Sequence, residues 1–515
     1  MSAGFEIDLP HDWRADVYGA MASELGERDS QNIVNSRFLN EALGAIPDDP
    51  ATAYLAARDG YFNPYGDNAL ANSRQLLGFL ASGYSQARNL SIVKTLDAKA
   101  DGPLWRLPAG ELKAALGVQV RQERFKPQTT NLVATTSPVK AGGETYRRRI
   151  EAAFVELRAP LIGEEMGVPG VQSLEASLAA RIERYGDFGQ TTNPKIGLTW
   201  RPAERLKLRA SYGTSFRAPN MPELYQLANN SPVLNQSPSG QVVGMLMSGG
   251  NRDLQPETAT SWSAGFDYDR RGVRLSATWF DVEFTDQIGT PVLTDPANAL
   301  KNPAFAPFVT YVDPVGNPAD LARIKALMAA STSANIGLFP AEAYRAIIDA
   351  RFVNTGSVRV RGIDASAAYS FERGPDQFDL SINLSYLTDF ERQFTPTAPV
   401  VDSLNLPGQP VDLRGRASAS WTRGDYGVSL ALNYVDAYHT DAGRKIDGWT
   451  TADLQLRWTP QTSVEALDGL SVALNVQNLF DIDPPFYDGP TGIGYDPANA
   501  DPLGRFVSLQ LTKRW

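Results

Sequence analysis

The chain has 515 residues, a formal net charge of -10 and no cysteine. Disulfides, thiolate metal centres and cysteine nucleophiles are thereby excluded, and the absence of a basic run argues against nucleic acid as a partner. No run of about 18 apolar residues occurs, so no transmembrane helix is expected. The negative mean hydropathy of -0.27 still permits strands that are apolar at every second residue only.

Strand-like alternation recurs along the whole chain. About 17 strands are predicted. They lie near 3–8, 12–25, 89–99, 111–126, 147–159, 171–186, 192–202, 205–216, 255–269, 272–286, 356–371, 376–391, 411–423, 425–439, 449–459, 468–481 and 504–515. Leu112, Ala114, Leu116 and Val118 set the pattern, repeated at Trp262, Ala264, Phe266 and Tyr268 and at Leu470, Val472, Leu474 and Val476. Many runs last about 12 to 16 residues, beyond the 5 to 6 of ordinary soluble strands and long enough to cross a bilayer at a tilt. One run changes parity: Val358 and Val360 are even, Ile363, Ala365 and Ala367 are odd, and Gly362 at the change predicts a bulge.

The last strand places Val507, Leu509, Leu511 and Trp515 on one face and Ser508, Gln510, Thr512 and Arg514 on the other. Lys513 interrupts the apolar face, as a lysine that snorkels to water can. A chain that ends on such a strand looks like an outer-membrane β-barrel. Phe506, Leu509, Leu511 and Trp515 would then form an assembly signal for the barrel-assembly machinery. An ordinary sandwich strand is the alternative for this stretch alone.

Connection lengths separate by rim. Short links at 203–204, 270–271, 372–376 and 424 alternate with long ones at 26–88, 127–146, 217–254, 287–355, 392–410 and 482–503. Short turns at one rim and long loops at the other characterise transmembrane barrels. Within the longest loop, Leu321, Ile324, Leu327 and Met328 recur at helical spacing, as do Tyr344, Ile347 and Ile348. Two short amphipathic helices are predicted there, and another near 34–44 around Phe38, Leu39 and Leu43.

Several motifs resemble the TonB-dependent receptor family, in the family's order. They are Asn193-Pro-Lys-Ile-Gly-Leu-Thr-Trp200 running on to Ser215-Phe-Arg-Ala-Pro-Asn220, then Met221-Pro-Glu-Leu-Tyr225, and Asn251-Arg-Asp-Leu-Gln-Pro-Glu-Thr258. Gly362-Ile-Asp-Ala365, Asn475-Val-Gln-Asn-Leu-Phe-Asp481 and the closing strand complete the set. Each is weak alone; together they cover 190–515 and are specific. The resemblance implies an all-β, antiparallel transmembrane barrel of about 22 strands in the outer membrane, with a plug domain inside. It also implies TonB-energised uptake of a scarce nutrient of the siderophore-iron, cobalamin or oligosaccharide class. Lipid, the TonB complex acting through the plug, and the nutrient are the implied partners; no cofactor, metal or catalytic residue is. The motifs also read physically. Pro256 cannot donate to a ladder and suits a strand start, and Phe480 suits a rim where an aromatic bridges lipid and water.

The plug that precedes the barrel in this family has no counterpart in residues 1–515, nor has a TonB box. No charged n-region and apolar h-region opens the chain. About five strands of the expected 22 are absent. The first and last strands both run toward the short-turn rim, so joining them directly would be parallel. The expectation is one barrel domain over 1–515, the C-terminal portion of a longer receptor with Met1 an internal start. The alternative is a split receptor completed by a second chain.

Arg217 and Glu223 lie where a strand enters a loop, a region that in this family faces plug and cavity. Loop aromatics Tyr61, Phe62, Tyr65, Tyr225, Tyr487 and Tyr495 are the candidate substrate contacts. Asp481, Asp483, Asp488, Asp496 and Asp501 could ligate Ca²⁺, but no EF-hand spacing is present and a solvated acidic face is the preferred reading. An outer-membrane barrel hydrolase would need His11 or His439, the latter in Tyr438-His-Thr-Asp441. An all-β binding protein of the extracellular face is the remaining alternative.

Overall fold

A computed structural model describes residues 1–66, 71–237, 240–333, 335–394, 398–440, 442–462, 464, 467–489 and 492–514. Seventeen long strands form one meander: β1 (Ser2–Leu9), β2 (Trp13–Ile33), β3 (Gly83–Leu107), β4 (Gly110–Leu132), β5 (Tyr146–Ile162), β6 (Ser173–Tyr185), β7 (Gly189–Ala203), β8 (Leu206–Arg217), β9 (Glu257–Arg270), β10 (Val273–Thr285), β11 (Ser357–Arg373), β12 (Asp376–Arg392), β13 (Leu413–Arg423), β14 (Tyr426–Val435), β15 (Trp449–Trp458), β16 (Leu470–Gln477) and β17 (Phe506–Lys513). Every strand pairs antiparallel with its neighbours in sequence. Two short strands, Val139–Gly142 and Val401–Asp402, complete the 19-stranded sheet.

The ladder is open at both ends. Among the described residues β1 pairs only with β2, and β17 only with β16. β1 is exposed along its length, and Phe506, Leu509 and Leu511 on β17 are 50%, 64% and 66% exposed. Trp515 lies outside the described residues.

Alternation decides the faces. Leu116, Val118 and Val120 on β4, Leu178 and Ile182 on β6, and Ile196 and Leu198 on β7 point outward and remain exposed. Their inward alternates include Gln119, Arg121 and Glu123 on β4 and Arg181 and Glu183 on β6, which are linked across the inner wall by Arg181–Glu183 (2.6 Å) and Arg148–Glu123 (2.6 Å) pairs. Burial is therefore concentrated in the loops, not in the wall.

The register irregularity predicted at Gly362 falls between Arg361 and Gly362, but the extra residue is Thr388 on the facing strand: Arg361 is opposite Asp389 and Gly362 opposite Leu387. Val358 and Val360 do not change face, since the β10–β11 ladder runs in register through both. Their apolarity reflects inward burial near the loop rim, where Val358 is 9% exposed.

At the short-turn rim the β9–β10 link is a two-residue turn. Arg271 (φ 48°) and Gly272 (φ 83°) are both left-handed, as a type I′ hairpin requires. A Cβ at Gly272 would meet the Ser370 carbonyl oxygen at 2.2 Å. Gly272→Val is expected to destabilise the folded barrel by about 2 kcal/mol or more, from left-handed strain plus this clash. Denaturant midpoints of the detergent-folded protein check it.

The opposite rim carries folded modules. Residues 34–82 hold α1 (Ser36–Ala42), α2 (Ala56–Asp59) and α3 (Arg74–Leu80). The expected helix near 34–44 is α1, started by Asn35, whose side chain accepts from the Arg37 and Phe38 amides. Phe38, Ala42, Tyr54, Leu76 and Leu80 form the module's core. After β8 comes the short α4 (Met221–Tyr225). The loops after β8 and β10 build a four-stranded sheet from Ser231–Ser237, Gly240–Met247, Tyr344–Asp349 and Val309–Tyr311, in that spatial order.

Of the two helices expected in the 287–355 loop, one forms: α5 (Pro318–Ala329), capped by Asn317. The second does not. Tyr344, Ile347 and Ile348 lie on a strand that pairs with 243–247 on one side and 309–311 on the other. Tyr344 and Ile347 pack with Met245 and Ile324 beneath one face of this sheet, and Ala346 and Ile348 with Val292 and Phe305 beneath the other. A strand buried on both faces shows no alternation and mimics a short helical run.

Candidate functional site

Arg217 ends β8 at the loop rim, and its guanidinium binds two carboxylates. Its Nε and Nη2 donate to Glu257 at 2.7 and 3.0 Å, and Nη1 donates to both oxygens of Glu223 at 3.0 Å. Glu223 also accepts from the Asn220 amide (2.8 Å), while Asn220 Oδ1 accepts from the Glu223 amide (2.8 Å), a reciprocal cap on α4. Glu257 accepts from the Ile288 amide at 2.5 Å. Beside it Leu224, Leu254 and Ile288 make a small apolar core. Both carboxylates are 8% exposed. Arg217 and Glu223 are therefore brought together, but into a clamp that joins β8, α4, β9 and the loop after β10. Their hydrogen bonds hold the fold together at this rim, where the Arg217 side chain is 43% exposed.

Tyr225, next along α4, is placed differently. Its ring stacks on Tyr146 at 4.1 Å, nearly coplanar at 9°. The exposed Arg252 lies over both rings, at 5.3 Å from Tyr225 and 5.4 Å from Tyr146, and donates to the Tyr146 hydroxyl at 3.3 Å. Two half-buried rings and an exposed guanidinium thus form one polar-aromatic ledge at the loop rim. Tyr146 and Arg252 were not singled out from sequence. Arg252 sits inside the Asn251-Arg-Asp-Leu motif; Tyr146 opens a strand and gives no local signal.

The other aromatics divide between packing and exposure. Tyr65 is 90% exposed and Tyr61 64% exposed, with the Tyr61 ring against Gly44, whose φ of 71° and missing Cβ allow the approach. Phe62 packs on the core of the first-loop module. Tyr487 packs against the cluster of Val411, Tyr438 and Ile446, and its amide donates to Gly494. Tyr495 is half-buried in the same last loop. Among the described residues, no hydrogen bond or ring contact joins the first-loop aromatics, the Tyr225 ledge and the last loop.

Asp481, Asp483, Asp488 and Asp501 are exposed, as the solvated acidic face requires, but Asp496 is not. It is 2% exposed and accepts from the Tyr438 hydroxyl (2.9 Å), the Asn499 side-chain amide (2.8 Å) and the amides of Gly408 and Ala498 (both 3.0 Å). Burial raises its carboxyl, but those four donors outweigh burial and hold it below the ordinary value. Burial and the Asp496 carboxylate together push the Tyr438 hydroxyl well up, so it stays a donor. This buried knot ties together the loops after β12, β14 and β16. Asp481 accepts from the Arg505 amide at 2.7 Å and Asp501 from the Leu503 amide at 2.9 Å, so these too are turn-forming. Among the described residues no group of three or more ligating side chains gathers as a metal site. His11 lies in the short β1–β2 turn and His439 at the loop rim, at opposite ends of the wall; Asp441 lies outside the described residues.

A family model described as TonB dependent receptor-like, beta-barrel matches residues 3–479. Over 186 residues the chain is 26% identical to a probable TonB-dependent siderophore receptor, PirA of Acinetobacter baumannii, covering 35% of this chain and 24% of that receptor. The crystal structure of the siderophore receptor PirA from A. baumannii superposes with a TM-score of 0.60 at 16% identity, over 99% of this chain and 61% of that one. The unliganded ferric citrate transporter FecA gives a TM-score of 0.52 at 12% identity, over 99% of this chain and 60% of FecA. The chain thus spans less than two thirds of the length of these receptors. At such identities the superpositions establish the fold.

Proposed function

This chain belongs to the TonB-dependent receptor-like β-barrel family, an outer-membrane family of receptors and transporters rather than enzymes, and we propose that it forms most of the wall and the outer vestibule of a ferric-siderophore importer. The observation that carries the substrate class is the sequence match to the probable siderophore receptor PirA. The physical support is the ledge of Tyr146, Tyr225 and Arg252. Stacked rings and a planar cation suit an anionic chelate that presents flat aromatic donor groups better than a neutral sugar. Tyr61, Tyr65 and Tyr495 are secondary contacts on this reading.

Residues 1–515 are, on the same reading, a barrel domain that lacks its plug and about five strands. Among the described residues no ladder joins β1 to β17, and the two run in the same direction, so antiparallel closure needs an odd number of further strands. The plug supplies the gate and the contact with TonB. Lipid surrounds the wall, and the barrel-assembly machinery reads β17.

Growth and radiolabelled-iron uptake by a deletion strain under iron limitation test the function. The deletion is expected to abolish uptake of one ferric siderophore class, and Tyr225→Ala with Arg252→Ala is expected to weaken its binding by about tenfold. Undiminished uptake of every ferric siderophore, with loss of cobalamin or oligosaccharide uptake, would contradict the proposed class.

A further inference from the structure

The outward face of β4, β5 and β6 changes character sharply along its length. Toward the short-turn rim it is apolar, through Leu116, Val118 and Val120 on β4 and Leu178 and Ile182 on β6. Continuing the same alternation toward the loop rim, β4 presents Arg124 and Lys126, β5 presents Arg149 and Arg147, and β6 presents Arg184. Arg124 lies four residues beyond Val120, roughly 13 Å along the strand. Such a step carries a side chain from the hydrocarbon edge into the headgroup layer.

The register makes the patch costly for the protein alone. Arg124 is directly opposite Arg147 across the β4–β5 ladder. Like charges so placed destabilise a sheet. One carboxylate answers them on this face: Glu151, opposite Arg184, pairs with Arg149 at 2.9 Å. Among the described residues Arg124, Lys126, Arg147 and Arg184 have no ion-pair partner, in a chain whose formal charge is -10.

Another sector of the same wall shows what balanced arginines look like. Arg359 and Arg361, on the outward face of β11 at similar height, sit between strands carrying Asp281 and Asp389. Arg359 binds Asp281 at 2.6 Å, and Arg361 approaches Asp281 at 3.3 Å and Asp389 at 3.8 Å. A cation sector left unneutralised, lipid-facing and just beyond the apolar band wants anions supplied by the membrane.

We propose that this patch on β4, β5 and β6 is a docking site for the phosphorylated headgroups of outer-leaflet glycolipid. The phosphates sit between Arg124 and Arg147, relieving their repulsion, while the acyl chains lie along Leu116, Val118 and Val120. Arg149, paired with Glu151, and Arg184 flank the site. The site is on the outer surface, separate from the vestibule and independent of which nutrient is carried.

The test uses the full receptor extracted from lipopolysaccharide-containing outer membranes in mild detergent, with co-purified lipid A measured by mass spectrometry. Combining Arg124→Gln, Lys126→Gln and Arg147→Gln is expected to lower retained phosphorylated lipid A at least about tenfold, whereas Arg359→Gln leaves it unchanged. Dephosphorylated lipid A should not be retained by the parent, and inorganic phosphate should not displace the native lipid. Equal retention by the folded triple variant, or by the parent for dephosphorylated lipid, overturns the proposal. Displacement by inorganic phosphate overturns the lipid as the source of the anion. Should the triple variant not reach the heat-modifiable folded form, Arg147→Gln alone decides. It removes the like-charge pair, so folding should be undiminished while retention falls about threefold; unchanged retention counts against the site.

Discussion

Replacing Arg217 by alanine is expected to lower the stability of the folded barrel by about 3 kcal/mol. The substitution leaves Glu223 and Glu257 facing each other with no cation between them, and both are 8% exposed. The expectation sits at the lower end for a broken buried ion pair, because the Arg217 side chain is itself 43% exposed. Lysine keeps the charge but cannot serve two carboxylates through a planar fork, so Arg217→Lys should recover only part of the loss. Denaturant titration in detergent, read by the shift between folded and unfolded gel mobility, measures both. A loss under about 1 kcal/mol for Arg217→Ala would show that the clamp is not what holds α4 to β9.

The second large effect is expected at Asp496. Asp496→Ala strands four donors in a site from which water is excluded: the Tyr438 hydroxyl, the Asn499 amide and the amides of Gly408 and Ala498. A loss of about 3 kcal/mol in local stability is expected, confined to the loops after β12, β14 and β16 while the strands stay folded. The pH dependence follows from the depressed carboxyl. The stabilisation is fully present above the unfolded-state value, near 3.8, and is lost as pH falls through the lower folded-state value. Limited pepsin digestion should cut 478–505 in Asp496→Ala across the acid range, and in the parent only well below pH 4. Equal cleavage of parent and variant at pH 4 would contradict the knot.

How much of this was legible in the sequence varies with what the physics prints locally. The wall was legible because each strand meets lipid on one face and the lumen on the other. Leu116 and Val118 alternating with Gly117 and Gln119 record that directly. The separation of short turns from long loops was legible from the spacing of the strands, although the link 459–469 at the short-turn rim is longer than the expected 460–467. The loops were harder. Residues 344–349 are covered on both faces, so alternation vanished and a strand read as a helix. The parity change at Gly362 was real as a pattern but recorded inward burial of Val358, with the extra residue on the facing strand.

Site residues followed the same logic. Arg217 and Glu223 were visible as charges at a strand end, yet their clamp depends on Glu257, forty residues away, which only the register brings opposite Arg217. Asp496 looked like one acid among five in a polar loop. Its burial arises from Tyr438 and Gly408, supplied by two other loops. The Tyr146–Tyr225 stack likewise joins β5 to α4 across the rim and leaves no trace in either local sequence.

On the proposed reading, β1 and β17 are edges of one outer-membrane wall, and an odd number of further strands lies between them. The chain has no cysteine, so paired cysteines can be introduced on a clean background. In the receptor within intact outer membranes, a Leu474–Leu509 cysteine pair, directly opposite on β16 and β17, should cross-link efficiently. Pairs between β1 and β17, such as Glu6→Cys with Gln510→Cys, should not. Efficient β1–β17 cross-linking in the membrane, with the β16–β17 control intact, would contradict the account.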